Sequence, residues 1–320
     1  MNKAFPIIIW IAALGIVLYL FPEFAAYFGF ESLGQNRLSS VVFISDDNGK
    51  TFDKTYWSGN FAPTVYDFEI DGRDSSFVYA ATDQGLFMSR DRGSHWFRYS
   101  DLEGQLAKAM IFQIEKSANN PARLFVSAFK NGQGGIYETD DRFFTPRKIF
   151  DTKEAAAYKL DSLGDKLYMG LSDGRVISYS LSDFGFRLLA ALGSPITDIV
   201  VNNAKVYAAT QAKEVWVGSV SGNDFTPLRE EQPSQSAYTA SLLGANLKTV
   251  VAKKPIKTIL PDGQGGIYLA AADKLYRSVN RGKNWQLILD VPGRRVSSLN
   301  LGSGGRIIVG TGKEREDNSL

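Results

Sequence analysis

Six short apolar strands recur along the chain: FVYAAT from Phe77, LFVSAF from Leu124, KLYMGL from Lys166, KVYAAT from Lys205, GIYLAA from Gly266 and RIIVGT from Arg306. Most steps between them are near 40 residues, while the step from Lys205 to Gly266 is near 60 and holds an insertion over residues 230–257. A period of this length constrains the fold more than any single residue, because one unit cannot bury its own apolar face and must stack on its neighbours. Small residues recur at the strand centres, as a strand packed on both faces between adjoining sheets requires.

After each of these strands comes a second short strand, then a turn, then an aromatic residue that opens a final strand. Almost no stretch beyond residue 41 carries a helical apolar period. The turns Ser45-Asp46-Asp47-Asn48-Gly49-Lys50-Thr51-Phe52 and Ser89-Arg90-Asp91-Arg92-Gly93-Ser94-His95-Trp96 share the pattern S-x-D-x-G-x-x-[WF]. Ser278-Val279-Asn280-Arg281-Gly282-Lys283-Asn284-Trp285 repeats it with Asn280 in the acidic place. Weaker copies are Thr139-Asp140-Asp141-Arg142-Phe143-Phe144, SLSDFGF ending at Phe186 and SVSGNDF ending at Phe225. A hairpin turn leaves backbone N–H groups without ladder partners. An Asp or Asn side chain accepts from them, and Gly supplies the left-handed position. The aromatic is expected to bury beside the turn. Asp47, Asp91 and Asn280 are therefore read as structural rather than catalytic.

The aromatic closers Phe52, Trp96, Phe144, Phe186, Phe225 and Trp285 count six units. The N-terminal unit has only two outer strands, VVFIS and TFDKTYW, and the C-terminal one only two inner strands, around VSSLNL and RIIVGT. Together they complete one sheet, which closes a ring. The expected fold is all-β: a six-bladed β-propeller over residues 38–312 whose closing blade is shared by both ends of the chain. A seventh blade is the alternative if YTASLLGANLKTVV, within the insertion, forms strands.

The turn motifs and the four-strand repeat over residues 41–311 resemble the Asp-box, or BNR-repeat, propellers. That group includes sialidases, sortilin-type VPS10 domains and Ycf48-like photosystem assembly factors. The resemblance is specific for the fold and weak for activity, since the group mixes hydrolases with binding modules. Its sialidases carry an arginine triad, an F/Y-R-I/L-P element and a Tyr nucleophile paired with Glu. The chain has no R-I-P element, and Leu38 runs straight into VVFIS. VPS10 domains are longer and precede a cysteine-rich module, which is absent. Short Ycf48-like members match better in size, so the resemblance implies a non-enzymatic binding or assembly role. A sialidase-like glycoside hydrolase or lyase is the alternative, and it would need two carboxyl groups about 5–9.5 Å apart. Asp161, Asp165 and Asp173 are dense enough to consider and are read as turn residues.

Residues 4–21 are uncharged and almost wholly apolar (AFPIIIWIAALGIVLYLF) and follow Lys3. Crossing a bilayer takes about 20 helical residues, and the rings of Trp10 and Tyr19 add amphipathic character. Lys3 keeps the N-terminus cytoplasmic, which places everything after Glu23 on the far side. A cleaved signal peptide is the competing reading, but its apolar region is usually about 7–15 residues. The nearest small-x-small site, Ser32-Leu33-Gly34, lies well beyond the apolar end. The expectation is a signal anchor within residues 1–30 of a single-pass, bacterial protein whose propeller is periplasmic or extracellular, with secretion after cleavage as the alternative.

Thirty-six Lys and Arg against 34 Asp and Glu leave a formal charge of +2, too balanced for the broad basic field of a nucleic-acid binder. With no cysteine and one histidine, His95, the chain offers no disulfide, thiolate nucleophile or His-rich metal cluster. Calcium on carboxylates stays open, although DDNG at Asp46 lacks an acid at the first EF-hand position. GQGGIY at Gly132 and Gly263, and GSGGR from Gly302, fail the nucleotide-loop spacings and precede strands. No cofactor is expected. The insertion carries EEQPSQS and then Lys253, Lys254 and Lys257, while Arg294 and Arg295 open another loop and extend a basic rim. Loops that exceed a repeat are where function concentrates. These five residues are the candidate contacts for a protein or glycan partner on the extracytoplasmic side. Residues 313–320 form a charged tail.

Overall fold

A computed structural model describes residues 41–57, 63–202, 204–228, 256–262 and 265–313. The expected anchor, the YTASLLGANLKTVV stretch, Lys253, Lys254 and the tail beyond Lys313 lie outside the described residues. The chain enters with β1 (Val42–Ser45), β2 (Asp53–Lys54) and β3 (Tyr56–Trp57). The first blade is β4 (Val65–Ile70), β5 (Val78–Thr82), β6 (Gly85–Ser89) and β7 (His95–Arg98). The second is β8 (Met110–Lys116), β9 (Leu124–Lys130), β10 (Gln133–Thr139) and β11 (Arg147–Lys153). The third is β12 (Ala157–Leu163), β13 (Lys166–Leu171), β14 (Arg175–Ser180) and β15 (Phe186–Ala191). The fourth is β16 (Ile196–Asn202), β17 (Lys205–Thr210), β18 (Val215–Ser219) and β19 (Thr226–Pro227). The fifth is β20 (Ile256–Pro261), β21 (Ile267–Ala271), β22 (Lys274–Ser278) and β23 (Gln286–Asp290). The closing blade runs β24 (Arg294–Leu301), β25 (Ile307–Lys313), β1, β2 from the axis outward, so both ends of the chain share it. This is a six-bladed β-propeller.

Closure rests on β1 pairing antiparallel with β25, from Val42 opposite Gly310 to Ser45 opposite Ile307. Thr311 N–H extends the seam by donating to Val41 O at 2.8 Å. The stretch TFDKTYW does not stay in that blade as one strand. β2 ends at Lys54, and Tyr56–Trp57 crosses to the first blade as a parallel fifth strand on β7. The Trp57 ring stacks on Trp96 at 5.3 Å and lies 4.5 Å from Phe87, a contact that repays the crossing.

The repeated apolar strands are the second strands β5, β9, β13, β17, β21 and β25, and they are buried nearly throughout. Their small residues are required by neighbouring blades. A Cβ on Gly170 would sit 2.5 Å from Ile196 Cγ2, and one on Gly310 would sit 2.9 Å from Val65 Cβ. Apolar clusters fill the seams between successive blades from the closing blade round to the fourth, and between the fifth and the closing blade. Among the described residues no such cluster joins the fourth blade to the fifth. Val200 on β16 is 50% exposed there.

The S-x-D-x-G turns lie between third and fourth strands, on the face opposite the connections between blades. They share one hydrogen-bond scheme. Ser45, Ser89 and Ser278 each accept at Oγ from the N–H of Gly49, Gly93 and Gly282 at 2.8 Å. Asp47 and Asp91 accept from Thr51 N–H and His95 N–H at 2.9 Å, and Asn280 accepts from Asn284 N–H at 2.8 Å. The Thr51 amide, then its hydroxyl and that of Ser45, hold the Asp47 carboxyl well below the usual carboxylate range.

The aromatic closers behave unevenly. Trp96 is buried, Phe52 and Phe225 pack partly against apolar clusters, and Trp285 is half-buried. Phe144 and Phe186 are 58% and 66% exposed, contrary to expectation. In the second blade the inserted ring is Phe143, which occupies the glycine place at φ 68°, is fully buried and meets Tyr79 edge-on at 5.1 Å. Removing the turn carboxylate by Asp91→Ala strands the amides it satisfies. The expected loss is about 1–3 kcal/mol of stability, read by thermal denaturation; an unchanged melting temperature contradicts that role.

Candidate functional site

Each innermost strand carries a register shift at the same level, between Val65 and Asp67, Ile111 and Gln113, Ala157 and Lys159, Ile196 and Asp198, Ile256 and Thr258, and Val296 and Ser298. Such bulges re-aim side chains. The bulged residues are Tyr66, Phe112, Tyr158, Thr197, Lys257 and Ser297, one per blade at the same level of the inner ring. Three consecutive ones are aromatic: Tyr66 stacks on Phe112 at 5.7 Å, and Phe112 meets Tyr158 edge-on at 5.0 Å. The residues that follow are Asp67, Gln113, Lys159, Asp198, Thr258 and Ser298, and two positions further on Glu69, Glu115 and Asp161 recur on the first three blades.

An innermost strand has one edge with no strand to pair with, and its N–H and C=O groups need partners. The preceding blade supplies them. Asp67 Oδ2 accepts from Ile114 N–H at 3.1 Å; Gln113 accepts from Leu160 N–H at 2.8 Å and donates to Leu160 O at 3.0 Å. Asp161 Oδ2 accepts from Val201 N–H at 2.5 Å, Ser297 donates to Val65 O at 2.5 Å, and Asn300 donates to Phe68 O at 3.0 Å. Asp161 is therefore a strand residue that staples two blades, not the turn residue expected. Asp173 does sit in a turn, paired with Arg175 at 2.7 Å, and Asp165 turns between β12 and β13.

Enclosure governs the acids of the channel. Burial pushes Asp67 up to about 6 against the pull of Lys159 and the Ile114 amide. Burial, then repulsion from Asp161, Glu69 and Asp67, pushes Glu115 up to about 9. Burial also raises Asp161, Asp198 and Glu69, the last despite its 2.7 Å ion pair with Lys116.

Of the expected basic rim, the structure brings Lys257 and Arg295 together with Lys159, which the sequence reading did not single out. Enclosure by the channel wall, then repulsion from Lys159 and Arg295, pulls the Lys257 ammonium down to about 8, although water still reaches the exposed side chain. Asp198 and Asp67 lie within electrostatic reach of it. Arg294 is not free for a partner: it donates to Thr311 Oγ1 at 2.6 Å and to Pro63 O at 3.2 Å, clamping the closing blade to the first. The site therefore lies on the inter-blade face, away from the S-x-D-x-G turns. Aligning the innermost strands would have exposed it, because VYDFE, IFQIE and AYKLD repeat an aromatic, a polar residue and an acid. Among the described residues no group of three or more His, Cys, Asp or Glu is placed to hold a metal ion.

The fold is shared with solved structures of low sequence identity. Ycf48 from Cyanidioschyzon merolae superposes with a TM-score of 0.58 at 10% identity, over 79% of this chain and 97% of that one. A GH74 xyloglucanase from Xanthomonas campestris gives 0.59 at 14% identity over 79% of this chain, which spans 51% of that enzyme. A TolB protein from Agrobacterium tumefaciens gives 0.54 at 10% identity, over 86% and 98% of the two chains. These likenesses define a β-propeller. No family model matches the chain, and no curated protein matches it.

Because the folded value of Glu115 lies above the ordinary 4.5, the stability it contributes is complete below that value and is lost as pH rises toward about 9. Glu115→Gln is expected to raise the melting temperature by about 3 °C or more near pH 8, with little change near pH 4. Equal shifts at both pH values would contradict an enclosed, proton-holding carboxyl.

Proposed function

We propose that this chain is a binding or assembly propeller of the Asp-box group, held at a membrane by residues 4–21 and presenting its inter-blade face to a protein or glycan partner on the extracytoplasmic side. The carrying observation is a division of labour in the channel. Asp67, Asp161 and Glu69 are committed to a neighbouring backbone or to Lys116, whereas Lys159, Lys257 and Arg295 form no hydrogen bond or ion pair at contact distance among the described residues. Carboxylates committed in this way are poorly placed to act as acid and base on a bound sugar. A propeller as short as Ycf48 supports the same role class, and residues 45–52, 89–96 and 278–285 support the Asp-box reading.

The glycosidase reading retains one specific support. Glu115 is pushed up to about 9 and lies within electrostatic reach of Asp161, Glu69 and Asp67, an arrangement that separates acids from bases. Two measurements separate the readings. A photo-crosslinking residue at Thr197 in the channel mouth should capture a defined partner in native membranes, one at Lys50 on the turn face should not, and a glycan panel should show no turnover. The protein should stay with membranes through an alkaline wash, and a chain lacking residues 1–30 should be released. Turnover of a glycan lost in Glu115→Gln, or equal capture from both faces, would overturn the binding reading.

A further inference from the structure

The outermost strand of a blade presents a row of N–H and C=O groups with no strand to pair with, and most of these edges are blunted. β2 and β19 are two residues long, the second ending in Pro227. β11 carries four charged residues and two register shifts, and β23 ends in Asp290, which pairs with Lys274. β7 is covered by β3. The exception is β15, six residues of sequence FRLLAA with Arg187 as the one charge.

Ser180 N–H donates to Gly185 O at 2.8 Å, so in the antiparallel alternation Arg187 also bonds toward β14, while Phe186 and Leu188 turn their N–H and C=O groups outward. Among the described residues nothing bonds to these outward groups. The free stretch ends at Leu189, whose O accepts from Asn223 N–H of the fourth blade at 3.1 Å. The side chains agree with the backbone. Phe186 is the third blade's counterpart of Trp96, but Trp96 is 1% exposed with Trp57 stacked on it, whereas Phe186 is 66% exposed and meets only the Phe150 ring, edge-on at 5.4 Å. Leu188, two residues on and therefore on the same face, is 48% exposed. Arg187 lies on the other face, exposed, donating to Ser221 O at 2.9 Å and forming no ion pair among the described residues.

We infer that β15 is a docking edge for an extended segment of a partner protein, which adds along Phe186–Leu188 as a fifth strand in the way that β3 adds to β7, with aromatic side chains against Phe186 and Leu188 and an acidic one beside Arg187. Main-chain bonds supply the affinity of such an addition and the alternate side chains its selectivity. A second copy of the chain fits less well. Two β15 strands paired about a two-fold axis would bond through Phe186 and Leu188 and set Arg187 directly opposite its own copy, and like charges so placed destabilise a pair. This edge lies on the outer wall of the propeller, so the inference goes beyond the binding role of the inter-blade face and does not depend on it.

The test uses the full chain in detergent and the fluorescein-labelled peptide Thr-Trp-Glu-Trp-Glu-Thr, with Thr-Trp-Trp-Glu-Glu-Thr as a counterpart of equal composition and broken alternation. Anisotropy should show saturable binding of the alternating peptide and at least tenfold weaker binding of the other. N-methylation of both Trp residues or of both Glu residues should abolish binding in one case and spare it in the other, because only alternate N–H groups of an added strand face β15. Phe186→Ser and Leu188→Ser should each weaken binding by about tenfold, with melting temperatures near the wild type, and Arg187→Gln should remove its salt dependence. Val279→Ser, at an exposed apolar residue in a turn of the fifth blade, should leave it unchanged. Equal binding of the two peptides, binding indifferent to both N-methylations, or equal losses in Val279→Ser and Phe186→Ser would overturn the inference. So would a concentration-dependent dimer that Phe186→Ser disperses, which would give the edge to a second copy.

Discussion

The antiparallel pairing of β1 with β25 joins residues separated by most of the chain, Val42 opposite Gly310 and Ser45 opposite Ile307. Without it the closing blade would be two separate two-stranded ribbons, neither of which holds its shape in water. With it, β25 is flanked by strands on both sides and packs as tightly as the second strand of any other blade, with Ile308 and Val309 fully buried. The lack of a side chain at Gly310 lets Val65 and Phe68 of the first blade approach, so closure of the sheet and closure of the ring are one event. Asp46, in the first turn, adds an ion pair to the buried Arg306 of β25's approach, and Asn48 N–H donates to Gly305 O at 3.0 Å.

Closing the ring brings the innermost strands side by side with their outer edges facing the axis, and that decides what the channel side chains do. Four of the six edges are satisfied by a residue of the preceding blade: Asp67 for Ile114, Gln113 for Leu160, Asp161 for Val201, Asn300 for Phe68. The acids enclosed there are desolvated, and burial is the main cause that raises Asp67, Glu115, Asp161 and Asp198. Charges left over after this structural use are the informative ones. They include Glu115 and Asp198 as well as Lys159, Lys257 and Arg295, remote from the turns whose sequence is most regular.

Much of the architecture is legible in the sequence, because a repeat makes one unit's pattern testable against the others. The split blade, the order of strands and the role of small residues all follow from aligning FVYAAT with its five counterparts. Local rules fail where contacts come from another blade. Phe144 reads as the closer of a weak copy, yet Phe143, in the glycine place, is the ring that buries, edge-on to Tyr79. Tyr56 and Trp57 read as the end of one strand but pair with the next blade through the stacked Trp57 and Trp96 rings. The channel was harder still. Asp67, Glu115 and Lys159 look unremarkable in isolation and become a set only once the inner strands are laid in register, and Arg294 looks like rim while its partners, Pro63 and Thr311, lie in distant parts of the chain.

Native-state hydrogen exchange on the β1 and β25 amides tests the closing contact most directly. If the ring depends on it, Phe43 and Ile44 exchange as slowly as Ile308 and Val309 and only through global unfolding. Exchange of the β1 amides by a fast local opening, with the β5, β9 and β13 amides still protected, would show that the ring stands without this pairing and would contradict the account.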